Sequence, residues 1–145
     1  MRIMVSSCLL GLPTRYDGKS KPCRKVLELS SKHVLIPFCP EQLGGLPTPR
    51  YRSEIAGGKG YEEGVKIVTE NGVDVTENYI QGAMLSVEIA RLVKPDLIIL
   101  KSKSPACGLR KVYDGTFSGR LVNGSGVAAY FLKKEGCKLI TEEDL

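Results

Sequence analysis

Short apolar runs alternating with helical patterns predict a three-layer, Rossmann-like α/β domain with a mainly parallel sheet and a small hairpin insertion. Two observations carry this expectation. Residues 97–100, Leu-Ile-Ile-Leu, are apolar at every position, as in a strand covered on both faces. Asn71-Gly72 lies between two short apolar runs, residues 65–69 and 73–75, and marks a hairpin. At 145 residues the chain has the size of one domain, taken as 1–145.

Taken in order, residues 3–8 continue into Leu9 and Leu10 and stop at Gly11 and Pro13, which reads as a buried strand entering a loop. Val26, Leu27 and Leu29 predict a short helix, and residues 34–39 a second strand broken at Pro40. From Glu41 to Gly64, the glycines and prolines are too dense for a regular element, so a long functional loop is expected there. Thr76 opens the longest helix, which runs to about Lys94 before Pro95, with a stripe of Ile80, Ala83, Met84, Val87 and Ala90. A third strand at 97–100 is followed by a glycine-rich loop from Gly108 to Gly126, a last helix at 127–134 and a last strand at 137–141.

Composition narrows the function classes. Hydrophobic residues make up 42% and charged residues 26%, which excludes disordered, collagen-like and membrane classes. The first residues are too weakly cationic for a secretory signal and no run is long enough to span a bilayer, so a cytoplasmic protein with reduced thiols is expected. A net charge of +5 favours anionic partners such as nucleotides. The basic residues are scattered and Trp is absent, so no stable nucleic-acid partner is expected.

Five cysteines are the unusual part of the composition: Cys8, Cys23, Cys39, Cys107 and Cys137. Their odd number, without a CxxC pair, argues against a disulfide framework. Ligands of parallel sheets bind beyond the carboxyl ends of the strands. Cys8, Cys39 and Cys107 fall at three such ends, Cys137 at the other edge, and Cys23 in a lysine-rich loop. Two readings stand here: small buried side chains, or a thiolate site. A structural zinc site needs a fourth ligand, generally in close-spaced pairs, and the single histidine, His33, is not so placed. Three thiolates fit an open cubane iron–sulfur cluster better than a closed site. Glu41, two residues after Cys39, is a candidate proton carrier, and Ser104, three before Cys107, could orient substrate or water. Gly44-Gly45 would let backbone approach a ligand, and Arg15 and Arg50 are candidate contacts for a carbonyl or phosphate.

The motifs Ser7-Cys8-Leu9-Leu10-Gly11, Arg15-Tyr16-Asp17-Gly18, Phe38-Cys39-Pro40-Glu41, Leu43-Gly44-Gly45-Leu46-Pro47-Thr48-Pro49-Arg50, Ser104-Pro105-Ala106-Cys107-Gly108 and Tyr113-Asp114-Gly115-Thr116-Phe117-Ser118-Gly119 together resemble the thiouracil desulfurases. The resemblance covers essentially the whole chain. It implies a [4Fe-4S] cluster on Cys8, Cys39 and Cys107, whose fourth iron takes the sulfur of a thiolated uracil base, nucleoside or nucleotide. Hydrolysis then releases sulfide and the oxygenated pyrimidine without net redox change, with Glu41 and Ser104 as the acid/base and assisting residues. The chain departs from the family pattern at Thr14 and Ala106, where relatives carry cysteine and serine. Two other classes stay open from the residues alone. One is a cluster-containing electron-transfer protein with Cys23 as fourth ligand, the other a cluster-free module for an anionic ligand.

Overall fold

The computed structural model describes residues 1–145. In chain order its elements are β1 (Arg2–Ser6), α1 (Arg24–Glu28), β2 (Val34–Phe38), α2 (Pro40–Leu43), β3 (Ser53–Ile55), β4 (Ile67–Thr69), α3 (Thr76–Val93), β5 (Leu97–Leu100), β6 (Lys111–Tyr113), β7 (Leu121–Asn123), α4 (Val127–Lys134) and β8 (Leu139–Thr141), with 3-10 turns at Ser7–Leu10, Leu29–Ser31 and Glu142–Asp144.

The central sheet is four-stranded, in the order β2-β1-β5-β8, and every pairing in it is parallel. β1 and β5 occupy its middle because they are apolar toward both faces. Ile3, Val5 and Ile99 pack with Leu9 and Val26 on the α1 side. Met4, Ile98 and Leu100 pack on the other side against Tyr79, Ala83 and Val87 of α3 and Val127, Ala128 and Leu132 of α4. Burying both faces removes the polar alternation that a half-solvated strand shows. Pro37 has no N–H to donate and is tolerated because β2 is an edge strand. The three layers and parallel sheet agree with the expected fold class.

Several elements differ from the sequence reading. The first strand stops at Ser6, and Cys8 sits in the 3-10 turn that follows, closed by Gly11 at φ 90°. The expected loop from Glu41 to Gly64 contains α2 and β3: Pro40 at the first helical position starts a turn before the breakers end it. The turn at Asn71-Gly72 forms, yet its return segment gives only an isolated bridge, Val68 to Asp74. The true partner of β4 is β3, paired antiparallel from Ser53–Thr69 to Ile55–Ile67, a contact between residues too far apart for a local turn signal. A second antiparallel hairpin, β6 with β7, lies inside the expected glycine-rich loop. On α3, Met84 faces solvent, while Tyr79, Gly82 and Ser86 are buried with Ala83, Val87 and Ala90.

Candidate active site

From β1 the chain crosses to β2 on one side of the sheet, and from β5 to β8 on the other, so the crevice beyond β1 and β5 is a topological switch point. Three cysteines converge there. Cys8 lies in the turn leaving β1 and is 8% exposed. Cys39 is the extended residue between β2 and α2, and its thiol points at the carbonyl oxygen of Thr14, 3.9 Å away. Cys107 leaves β5 through a turn held by Ser104 and is 3% exposed. The three thiols act on one another electrostatically, and each lies within reach of the Glu41 charge. Burial pushes the Cys8 thiol up to about 11, opposed by the nearby Lys101 and Arg15 cations. Burial and then Glu41 raise Cys39, and burial raises Cys107 further.

No group of three or more His, Cys, Asp or Glu side chains is close enough to share a single metal ion. An all-sulfur donor set on three separate loops is instead what a polynuclear iron–sulfur centre requires, since its irons are bound one thiolate apiece. The remaining candidates are placed differently. Cys23 precedes α1 and packs against the α1-side core that also holds Cys8, and Cys137 lies just before β8. His33 pairs through Nδ1 with the chain's own amino terminus at 3.2 Å, on the exposed surface.

A cavity of about 380 Å³ opens at this end of the sheet, lined by Glu41 and Ser104 among others and by none of the three cysteines. Glu41 is on α2, and a close backbone approach places it. A Cβ on Gly44 would collide with the carbonyl oxygen of Asn78, and one on Gly82 with that of Pro40. Gly44 therefore serves α2–α3 packing rather than contact with a ligand. Oε2 of Glu41 accepts from the Tyr79 hydroxyl at 2.8 Å and from Arg50 Nε at 3.3 Å. Arg50, expected as a ligand contact, lines the cavity and is braced there: its other nitrogens donate to Thr14 O at 2.9 Å, Thr48 Oγ1 at 3.0 Å and Pro47 O at 3.3 Å. Arg15 does line the cavity, with Asp17 at 3.9 Å.

Ser104 Oγ accepts the backbone N–H groups of Ala106 at 3.1 Å and Cys107 at 3.0 Å. Thr14 lines the cavity and shares a 2.6 Å hydroxyl contact with Ser7. Ala106 is buried in the main core and does not line the cavity. Sequence reasoning missed Glu54, a buried carboxylate on the cavity wall whose Oε1 accepts the N–H groups of Gly115 and Phe117 at 3.0 and 3.1 Å. It also missed Tyr79. Their signal was available only through the β3–β4 pairing and the packing of α3 on α2.

A parallel α/β fold with a thiol-rich crevice at its switch point is the class these features define. The chain belongs to the 2-thiouracil desulfurase family, whose model matches residues 3–144. It is 43% identical to the uncharacterized protein YbbK of Bacillus subtilis (strain 168), over 99% of this chain and 97% of that one. It also superposes on a solved structure titled [4Fe-4S]-dependent thiouracil desulfidase TudS, with a TM-score of 0.88 and 37% identity, covering 99% of this chain and 92% of the other.

Proposed function

We propose that this chain is a [4Fe-4S]-dependent thiouracil desulfurase in which Cys8, Cys39 and Cys107 hold the cluster and Glu41 and Ser104 act on substrate and water. The observation that supports this reading is that three thiols close enough to influence one another all lie within reach of the charge of Glu41, which with Ser104 lines the adjoining cavity. When bound, the cluster supplies an iron without a protein ligand, a Lewis acid for the thiocarbonyl sulfur.

The residues of the chain supply the remainder. Water adds to the thiocarbonyl carbon, the C–S bond breaks, and the products are the carbonyl pyrimidine and sulfide, with no change of oxidation state. Glu41 takes the proton from the attacking water and returns one to the departing sulfur. Ser104 Oγ already accepts two N–H groups, so its one O–H is left to donate into the cavity, where it orients the pyrimidine.

The cavity wall also bears on which thiolated uracil is used. Six cationic side chains line it against two carboxylates; Arg15, Arg50, Arg52 and Lys101 pair with Asp17, Glu41, Glu70 and Glu142, which leaves Lys21 and Lys103 without an ion-pair partner. That surplus supports a nucleotide over the free base. No helix is long and apolar enough to cross a membrane, which is compatible with the proposed cytoplasmic site of action. Residues 1–145 are proposed to act as one desulfurase-like domain.

Anaerobic reconstitution is the test: iron and acid-labile sulfide near four each per chain, with sulfide release from 2-thiouracil or 4-thiouracil, is the expected result. Stable zinc without sulfide, or a Cys107→Ser variant that releases sulfide at the wild-type rate, would overturn it.

A further inference from the structure

The two carboxylate oxygens of Glu41 are not equivalent. Oε2 takes both donors, the Tyr79 hydroxyl at 2.8 Å and Arg50 Nε at 3.3 Å. Oε1 has no protein partner, and no side-chain oxygen in the chain is both buried and unpartnered, so Oε1 is the open oxygen on a residue that lines the cavity. Neither donor is free to leave. Arg50, whose side chain is 6% exposed, is held by Thr14, Pro47 and Thr48. Tyr79 is 2% exposed on α3, one residue after Asn78, whose Nδ2 donates to Gly44 O at 2.9 Å and ties α3 to the end of α2.

We propose that Tyr79 is a positioning residue for the desulfuration: together with Arg50 it fixes Oε2 of Glu41, so that Oε1 alone is presented to the cavity. The inference rests on the reading of Glu41 as proton carrier. Burial and the Glu41 charge raise the phenol well above its ordinary range, which keeps Tyr79 a donor. Without the phenol, the carboxylate can turn about its last torsion and present either oxygen.

The test compares Tyr79→Phe, Glu41→Gln and the double variant, with iron and sulfide content measured in each. Tyr79→Phe is expected to lower kcat by about 10- to 100-fold with KM held within about twofold, because a misaimed base slows the chemistry without weakening binding. In the unloaded chain the side-chain carboxyl carbon resonance of Glu41, assigned by its loss in Glu41→Gln, should move in Tyr79→Phe. In the Glu41→Gln background the tyrosine change should cost nothing further, as expected for residues that act as a unit. An equal loss in both backgrounds would mark Tyr79 as merely structural and overturn the proposal, as would an unmoved resonance or an unchanged kcat. Full activity of Glu41→Gln would instead remove the proton-carrier reading beneath it. Should Tyr79→Phe fold poorly, Arg50→Lys removes the other donor to Oε2 while keeping the charge: a several-fold loss of kcat at constant KM supports the proposal, and wild-type kcat overturns it.

Discussion

Ser104 and the cysteines show how much a single side chain can be asked to do here. Ser104→Ala deletes the acceptor of two backbone N–H groups and the hydroxyl left to face substrate. Stranding those donors should cost about 1–3 kcal/mol of stability, read as a urea midpoint shift at constant m. The lost hydroxyl should lower kcat by about a hundredfold, measured as sulfide release at equal cluster content. Among the thiols, Cys107→Ser should fail to retain iron and sulfide, whereas Cys23→Ala should retain both. Cys23 is absent from the groups that most strongly shift Cys8, Cys39 and Cys107. Cluster loss in Cys23→Ala would restore the electron-transfer alternative. The three thiols were legible in the sequence because each follows an apolar strand, and strand ends converge by topology. The bracing of Arg50 was not legible, since the sequence does not reveal that its guanidinium, on the cavity wall, donates to Glu41 and three other acceptors.

At the scale of elements, α2 is a single turn of Pro-Glu-Gln-Leu and would not persist alone. It is held because α3 offers Gly82 where the Pro40 carbonyl must approach, and α2 ends in Gly44 where Asn78 does. Gly82→Ala should therefore push α2 away, costing about 1–3 kcal/mol as an overpacked contact and lowering activity through Glu41. Gly72→Ala, at φ 87° with open space around it, should carry only backbone strain of about 1–2 kcal/mol and leave the rate unchanged. Thermal melts with steady-state rates on both variants separate the two effects.

The start of α3 carries a pH signature. The sequence points to Thr76 as its opening, and the structure adds Asp74, whose Oδ1 accepts the Thr76 N–H at 2.9 Å and hydroxyl at 2.6 Å. Those bonds, with Lys66 assisting, hold the Asp74 carboxyl down to about 2 from an ordinary 3.8. A carboxyl depressed by folding adds stability that is complete above its unfolded value and disappears as pH falls through the folded one. The gap in urea midpoint between wild type and Asp74→Asn should accordingly be constant above pH 3.8 and close as pH approaches 2. A gap independent of pH over that window would show that the carboxylate charge contributes nothing there.

For the whole molecule, the layers and the parallel sheet were legible because β1 and β5 bury both faces and their apolar runs are unbroken. The strand order was not, since it is decided by crossovers that no local pattern encodes, and the β3–β4 and β6–β7 pairings were hidden among glycines for the same reason. The net charge of +5 likewise gave a sign without a place. Folding concentrates it: Arg15, Lys21, Arg50, Arg52, Lys101 and Lys103 all reach the one cavity, and Lys21 and Lys103 have no carboxylate paired with them. A field of that sign attracts a phosphate-bearing substrate from solution and does nothing for a neutral base. Salt separates the two, because the screening length shrinks from about 10 Å at 0.1 M to about 3 Å at 1 M. For 4-thiouridine monophosphate, kcat/KM should fall severalfold, to roughly a tenth, between low and high salt, while that for 4-thiouracil stays within about twofold. Lys103 lines the cavity and makes no ion pair within the chain, so Lys103→Ala should reproduce part of that loss at low salt for the nucleotide alone. Equal salt slopes for nucleotide and base would locate the basic surplus outside the path of the substrate and return the free base to first place.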